Sequence, residues 1–155
     1  MGETQTVLPE HSDRVPDVTA KTFQAACELQ IRPVKDEQED TSRVLVAIFS
    51  LAKMANWATF LGLSESAVVS LAKRFARFEI PFESEDMEDA IGELANPYVQ
   101  QLKGALEERS ADVEVSLPGM FRSDNIQVFV DQASPVQLNR YKCHFGKIWS
   151  GVIAT

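Results

Sequence analysis

Long hydrophobic runs are missing from this sequence. The longest one extends only from Val44 to Phe49, whereas a helix needs roughly 20 apolar residues to cross a bilayer. The first residues, as far as Val18, are polar and lack the basic and then apolar order of a secretory signal. These absences predict a chain without a membrane span or a signal peptide, located in the cytoplasm.

An excess of basic charge is also lacking. The 15 Lys and Arg residues are outnumbered by 23 Asp and Glu residues, which gives a formal net charge of −8. The phosphate backbone of a nucleic acid and the surface of an anionic membrane both require a basic binding face. We therefore expect neither nucleic acid nor a membrane among the partners.

Residues that commonly bind metals or act as nucleophiles are scarce. Cys27 and Cys143 form no Cys-x-x-Cys motif, and neither is accompanied by histidines at metal-ligand spacing. His11 and His144 give no support for a Ser/His/Asp or Cys/His assembly, and no glycine-rich nucleotide loop or G-x-S-x-G motif occurs. We expect two buried thiols rather than a disulfide, and no metal or cofactor bound by this chain.

What the sequence does contain is an ordinary globular composition. Hydrophobic residues account for 45% and charged residues for 25% of the 155 positions, enough for one domain with its own core. Residues 1–15 mix Pro, Glu, His and Ser without periodicity and predict a flexible N-terminal tail. The patterns that begin at Pro16 predict a single domain over residues 16–155.

The predicted fold class is α+β, with long helices packed on one face of a mostly antiparallel sheet. Apolar residues repeat with a helical period in some segments and with an extended period in others, and strands occur before and after a pair of helices. The predicted helices begin at Pro16 and span 67–78 and 85–109. The predicted strands are 29–32, 43–51, 57–63, 113–121, 126–130, 136–145 and 148–154.

The segment 44–63 has two interpretations. It can form two buried strands joined by a turn at 53–56, or a continuous helix, because short apolar runs are ambiguous. Ser64 is a good N-cap for the helix that follows, and a helix that begins there favours a hairpin before it. The predicted apolar face of that helix consists of Val68, Leu71, Phe75 and Phe78.

The stretch from Lys73 to Phe78 mixes basic and aromatic residues. Phe75 and Phe78 are interpreted as part of the apolar face. The basic residues lie near the helix C-terminus, where the helix dipole favours positive charge. The stretch is therefore predicted to be core and cap rather than a nucleic-acid site.

The predicted helix 85–109 has two distinct faces. At about 100° per residue, Asp89, Glu93 and Asn96 fall on one narrow arc of the exposed face, at positions i, i+4 and i+7. Spacing alone is more typical of an ordinary solvated face and does not establish a site. The opposite, apolar arc, which should pack on the sheet, contains Met87, Ile91, Leu94, Ala95, Tyr98, Leu102 and Ala105.

The same three polar residues complete a family signature. Residues 88–96, Glu-Asp-Ala-Ile-Gly-Glu-Leu-Ala-Asn, fit the pattern Asp/Ser-x3-Glu-x2-Asn, and a Ser-Leu-Pro segment follows at 116–118. In these features, residues 43–122 resemble the chemotaxis phosphatases of the CheC/CheX/FliY superfamily. The resemblance is to the CheX-like, single-signature members, because one such motif is present.

The resemblance implies a phosphatase of a phosphorylated response-regulator receiver domain, of the CheY type, in chemotaxis or two-component signalling. It implies that Glu93 pairs with a receiver lysine, that Asn96 orients the water that attacks the aspartyl phosphate, and that Asp89 has a supporting role. Such a reaction needs no metal in this chain, since Mg2+ is expected on the partner receiver. A neutral amide supplies alignment rather than a strong base.

One residue departs from the family pattern. Pro97 follows Asn96 directly, and a proline there removes a backbone hydrogen bond to the carbonyl of Glu93 and tends to kink the helix. The alternative is therefore a catalytically inactive CheX-like binding module that docks on a signalling partner. A structural component related to the flagellar switch proteins is a third hypothesis.

The β-rich segments are also expected to include edge strands. Unpaired strand edges invite pairing across a two-fold axis, so a homodimer is predicted. Sedimentation that shows only monomer at tens of micromolar, on the order of ordinary assay concentrations, would contradict this.

Overall fold

The computed structural model describes residues 12–35, 41–52, 57–108 and 113–154. A short 3-10 turn at Ser12–Arg14 leads into the first helix. The helices are α1 (Val15–Cys27), α2 (Glu65–Ala76), α3 (Glu85–Glu107) and α4 (Ile126–Ala133). The strands are β1 (Arg32–Pro33), β2 (Val44–Ala52), β3 (Trp57–Ser64), β4 (Glu114–Val115), β5 (Gly119–Ser123), β6 (Gln137–Cys143) and β7 (Gly146–Ala154).

The described strands form one seven-stranded sheet in the order β1–β6–β7–β3–β2, in which β2 also pairs with both β4 and β5. Every pairing is antiparallel, which confirms the α+β prediction. The hairpin interpretation of 44–63 is also confirmed, since Val44 pairs with Ser64 and Leu51 with Trp57. The predicted turn at 53–56 lies outside the described residues.

The sheet has an apolar core on each face. Side chains alternate along β2, so Leu45 and Ala47 pack with α1, α2 and α3 on one face, while Val44 and Val46 contribute to a smaller cluster on the other. The three long helices therefore share one face, as predicted. Within the described ranges, no helix combines the length and the hydropathy that a bilayer span requires.

The smaller core is covered by α4, where the sequence analysis predicts a strand at 126–130. That prediction is wrong. The side chain of Asn125 caps the helix by accepting from the backbone N–H of Val128 at 3.1 Å. Phe129 packs edge-on against Phe60 and Phe121, with ring centroids 4.9 and 5.6 Å away. The β-branched residues of the segment suggested a strand, but Ile126, Phe129, Val130 and Ala133 repeat with a helical period.

The interpretation of Phe75 and Phe78 as core residues is also wrong. Val68 and Leu71 are buried as predicted, but Phe75 is 48% exposed and Phe78 is 61% exposed. The helix ends at Ala76, and Arg77 follows in the left-handed conformation. The chain therefore turns before Phe78 can join the apolar face. Ser64 occupies the N-cap position, but its hydroxyl accepts from the backbone N–H of Lys147 at 3.0 Å instead of capping α2.

Two predicted boundaries near the N-terminus shift. The strand predicted at 29–32 is shorter and begins later, as the two-residue β1. Glu28 takes the left-handed conformation at the end of α1, so the extended segment starts further along the chain. Residues 1–11 of the predicted tail lie outside the described residues. Ser12 and Val15, assigned to the same tail by sequence, are buried.

Both cysteines are free thiols. Cys27 is buried and Cys143 is half-buried, as expected for small apolar residues rather than a disulfide. Burial raises the pKa of Cys27 to about 11, so very little of this thiol is ionised at neutral pH, and the thiolate is the reactive form.

We therefore expect iodoacetamide at pH 8 to modify Cys143 in the folded protein and to leave Cys27 unmodified. Cys27 should react only in denaturant, because unfolding both exposes the thiol and restores its ordinary pKa. Mass spectrometry of digested protein, with a Cys143→Ser variant as the control, distinguishes the two sites. Rapid modification of Cys27 in the native variant would contradict the burial of this thiol in α1.

Candidate functional site

The N-terminus of α3 is held in place by two side chains, one at the helix start and one on β5. The hydroxyl of Ser84 accepts from the backbone N–H of Met87 at 3.2 Å and donates to the carbonyl of Pro81 at 2.8 Å. Arg122, on β5, donates to the carbonyls of Phe82 and Ser84 at 3.2 and 2.7 Å. These contacts fix where the helix begins and therefore which way each later side chain points.

The same arginine forms an ion pair with Glu88, one turn into α3. Its guanidinium also lies over the ring of Phe82, 5.9 Å from the ring centroid. Arg122 thus joins an edge of the sheet to the helix that carries the predicted site. Sequence reasoning missed this role, because 34 residues separate the two partners and no local pattern connects them.

The apolar face of α3 is buried as predicted. Tyr98 is fully buried, and its hydroxyl lies 2.5 Å from the hydroxyl of Thr59 on β3. Thr59 donates its hydrogen to the carbonyl of Gly151 at 2.9 Å, so Tyr98 is the donor of the shorter bond. Burial raises the pKa of Tyr98. The other buried members of this face are Met87, Ile91, Leu94, Ala95, Leu102 and Ala105.

Asp89, Glu93 and Asn96 are exposed on the opposite face of α3. The predicted exposure of Glu93 and Asn96 is thus confirmed. The three side chains line one open groove of about 690 Å3, which also contains Glu88, Gly92, Pro118 and Met120. The structure therefore brings all three predicted site residues together in one groove, with a wall from the β4–β5 loop and β5.

The opposite wall of the groove comes from a distant part of the chain. Pro118 lies in the loop between β4 and β5, and Met120 lies on β5. Gly92, on α3, faces Met120: a Cβ atom placed at Gly92 would meet the Cε atom of Met120 at 3.5 Å, an ordinary contact. Sequence reasoning noted the Ser-Leu-Pro segment but missed Met120, because nothing local predicts that β5 pairs with β2 beside α3.

The groove carries uncompensated negative charge. Glu88 is paired with Arg122, but among the described residues no cation forms an ion pair with Asp89 or Glu93. Two free carboxylates one turn apart attract a cationic group of a partner. The amide of Asn96, one turn further along, can donate and accept hydrogen bonds without a charge.

Pro97 lies inside α3, and the helix continues through it to Glu107. Proline has no N–H, so the carbonyl of Glu93 lacks its usual intrahelical donor. The residues on either side keep the orientation that a regular helix predicts, since Asn96 is exposed and Tyr98 is fully buried. The proline therefore leaves the faces of the helix intact.

The described part of the chain holds no group of three or more His, Cys, Asp and Glu side chains with the arrangement of a metal site. What the groove offers is a row of oxygen and amide atoms on a rigid helix. Such a row can pair with a cation, and it can orient a small polar molecule such as water.

Comparisons with known proteins agree with this architecture. No protein-family model matches the sequence, and no curated protein matches it either. Solved structures do match. The chemotaxis protein CheX of Desulfovibrio desulfuricans is 14% identical, with a TM-score of 0.69 over 93% of this chain and 98% of that one. FliY of Thermotoga maritima is 16% identical, with a TM-score of 0.64 over 97% and 93%.

A third match is to a complex from Borrelia burgdorferi, described as CheX with CheY, BeF3 and Mg2+. It is 12% identical, with a TM-score of 0.66 over 92% of this chain and 95% of that one. These similarities define a class of α+β domain in which an antiparallel sheet carries its long helices on one face. The chain has the same fold as these CheX and FliY structures, the CheX-like fold that the sequence analysis predicts.

Proposed function

We propose that this chain is a phosphatase of a phosphorylated response-regulator receiver domain. The observation that carries the proposal is the pair of exposed side chains Glu93 and Asn96. They lie one turn apart on a helix fixed at its start by Ser84 and Arg122, in one groove of a CheX-like fold. A structural neighbour described as a complex of CheX with CheY, BeF3 and Mg2+ supports a receiver as the partner.

In the proposed complex, Glu93 accepts a hydrogen bond from a lysine of the receiver. The free carboxylate is suited to this because no cation of the described chain competes for it. Asp89, one turn nearer the helix N-terminus, adds negative charge to the same docking surface and has a supporting role. The Mg2+ is expected to be bound by the receiver.

Asn96 would then hold the attacking water in line with the phosphorus–oxygen bond. The water oxygen bonds to phosphorus as the bond to the receiver aspartate breaks, which yields inorganic phosphate and a free carboxylate. The proton of the water goes to a phosphate oxygen or to solvent, since a neutral amide is not a base. The contribution of Asn96 is alignment, which can supply several powers of ten in rate.

A catalytically inactive binding module is the second candidate, and Pro97 is the observation that favours it. The proline frees the carbonyl of Glu93 from the helix ladder, and a small displacement of Asn96 would prevent alignment of the water. Docking through Glu93 would survive such a displacement. A second copy of this chain is a further proposed partner, through the sheet edges.

Single-turnover hydrolysis distinguishes these two functions. A cognate receiver is phosphorylated with a small-molecule phosphodonor, freed of the donor, and mixed with excess chain. We expect the phosphoryl group to be lost much faster than in the receiver alone, as alignment of water by Asn96 requires. Tight binding of the phosphorylated receiver without any acceleration of its dephosphorylation would contradict the phosphatase function and favour the binding module.

A further inference from the structure

Large hydrophobic side chains that are exposed are few in the described residues: Phe75, Phe78 and Leu117. Leu117 is the most exposed of them, at 89%. A single exposed leucine is common on protein surfaces and means little by itself. The surroundings of Leu117 give it significance, because the loop that carries it is both rigid and adjacent to the groove.

The loop from Ser116 to Pro118 is tied to β2. The backbone N–H of Ser116 donates to the carbonyl of Ser50 at 3.1 Å, and the backbone N–H of Ser50 donates to the hydroxyl of Ser116 at 2.9 Å. That hydroxyl in turn donates to the carbonyl of Leu117 at 2.9 Å. Both sides of the loop are also paired with β2, Val115 opposite Leu51 and Gly119 opposite Ile48.

Proline adds a second constraint. Pro118 fixes its own backbone and restricts the preceding residue, Leu117, to extended conformations. The leucine side chain is therefore presented outward from a backbone with little freedom to lose on binding. An exposed apolar side chain on such a constrained backbone is suited to be an anchor, because association does not have to order the loop that carries it.

Leu117 also lies at the rim of the candidate site. The next residue, Pro118, lines the groove together with Asp89, Glu93 and Asn96, and Met120 lies two positions further on. A partner that covers Glu93 and Asn96 thus meets Leu117 at the edge of the same contact. An apolar contact beside a row of polar groups matches the usual anatomy of a protein interface, in which few side chains supply most of the affinity.

We propose that Leu117 is an apolar anchor that inserts into an apolar recess of the phosphorylated receiver, beside its phosphoryl group. The inference rests on the proposed function, since it assigns the partner contact of the same groove. Leu117 has no polar side-chain atom and cannot align water. It contributes to the affinity for the receiver, whereas Asn96 determines the rate of dephosphorylation within the complex.

The test is the rate of receiver dephosphorylation as a function of chain concentration, for Leu117→Ala and for the unmodified chain. We expect the half-saturating concentration to rise about tenfold, the loss expected when much of a leucine contact is removed. The saturating rate should stay within about twofold of that of the unmodified chain, because the Leu117 contact stabilises the bound ground state and the transition state equally. Phe78→Ala is the matched control, because it removes an exposed apolar side chain that does not line the groove.

Affinity for the receiver in complex with BeF3 and Mg2+ is measured in parallel, with Leu117→Gln as a second variant should the alanine variant fail to fold. Unchanged half-saturation and affinity for both variants would overturn the inference and leave the phosphatase proposal standing. The same shift for Phe78→Ala would also overturn it. If the unmodified chain does not accelerate dephosphorylation but the Leu117 variants bind the receiver more weakly, the anchor proposal stands and the phosphatase proposal is wrong.

Discussion

Replacement of Asn96 by alanine should slow the dephosphorylation of a saturating phosphorylated receiver by about 100-fold or more, the scale of a lost positioning group. The amide is the group of the exposed row that can orient water without a charge. Alanine retains the helix, because it has the highest helix propensity, and Tyr98 and Leu94 still anchor α3 from beneath. The affinity for the receiver should change little.

The matched control is Gln100→Ala. Gln100 is an exposed amide one turn further along α3, and it does not line the groove. Its removal should leave the rate unchanged. The comparison shows whether the effect of Asn96→Ala is specific to the amide in the groove or follows from the loss of any exposed amide. If Asn96→Ala hydrolyses the receiver as fast as the unmodified chain, the assigned mechanism is wrong even if the activity is real.

Replacement of Glu93 by alanine should have the second-largest effect, and on binding rather than on the chemical step. Truncating one partner of a charge pair that is buried in a complex costs about 2–5 kcal/mol, or at least about 30-fold in the dissociation constant. Glu93→Gln should be intermediate, because it keeps the shape and loses the charge. The single-turnover rate at saturation should be far less affected than for Asn96→Ala.

Titration of the receiver with each variant, at low and high salt, measures this effect. Glu107→Ala is the control, since Glu107 is an exposed carboxylate on the same helix and lies outside the groove. Because salt screens exposed charges, the affinity of the unmodified chain should decrease with ionic strength more steeply than that of Glu93→Ala. Equal affinities for Glu93→Ala and the unmodified chain would show that the docking contact lies elsewhere.

The sequence predicts the fold best where apolar residues repeat with a single period over a long segment. In α3 the apolar residues from Met87 to Ala105 repeat with the helical period, and each of those predicted as buried is buried. The hairpin of β2 and β3 was predicted because Ser64 begins a new helix at once. These signals are local, and neither required knowledge of what packs against them.

The wrong predictions concern short segments whose conformation depends on distant residues. In α4 the period of 126–133 is that of a helix, but strand-forming residues outweighed it, and Phe60 and Phe121 supply the aromatic contacts that hold Phe129. The sequence analysis does not predict the end of α2 at Ala76, which leaves Phe78 beyond the helix. Phe75 lies in the last turn of α2 and is still 48% exposed.

The candidate site divides in the same way. The row of Asp89, Glu93 and Asn96 is local to one helix and could be predicted from spacing and from the family signature. The wall made by Pro118 and Met120, and the ion pair of Arg122 with Glu88, depend on the pairing of β5 with β2. The residue pattern within either segment does not indicate which distant segment it pairs with.

The structure of this chain bound to a receiver whose phosphoryl group is replaced by BeF3, with Mg2+ present, is the most direct measurement. We expect the groove to cover the receiver's phosphorylation site, with Glu93 at hydrogen-bond distance from a lysine and Asn96 one water away from the BeF3 group. We also expect Leu117 to lie in an apolar recess at the edge of the contact. A receiver bound on another surface, such as that of Phe75 and Phe78, with Glu93 and Asn96 left in solvent, would contradict the proposed function.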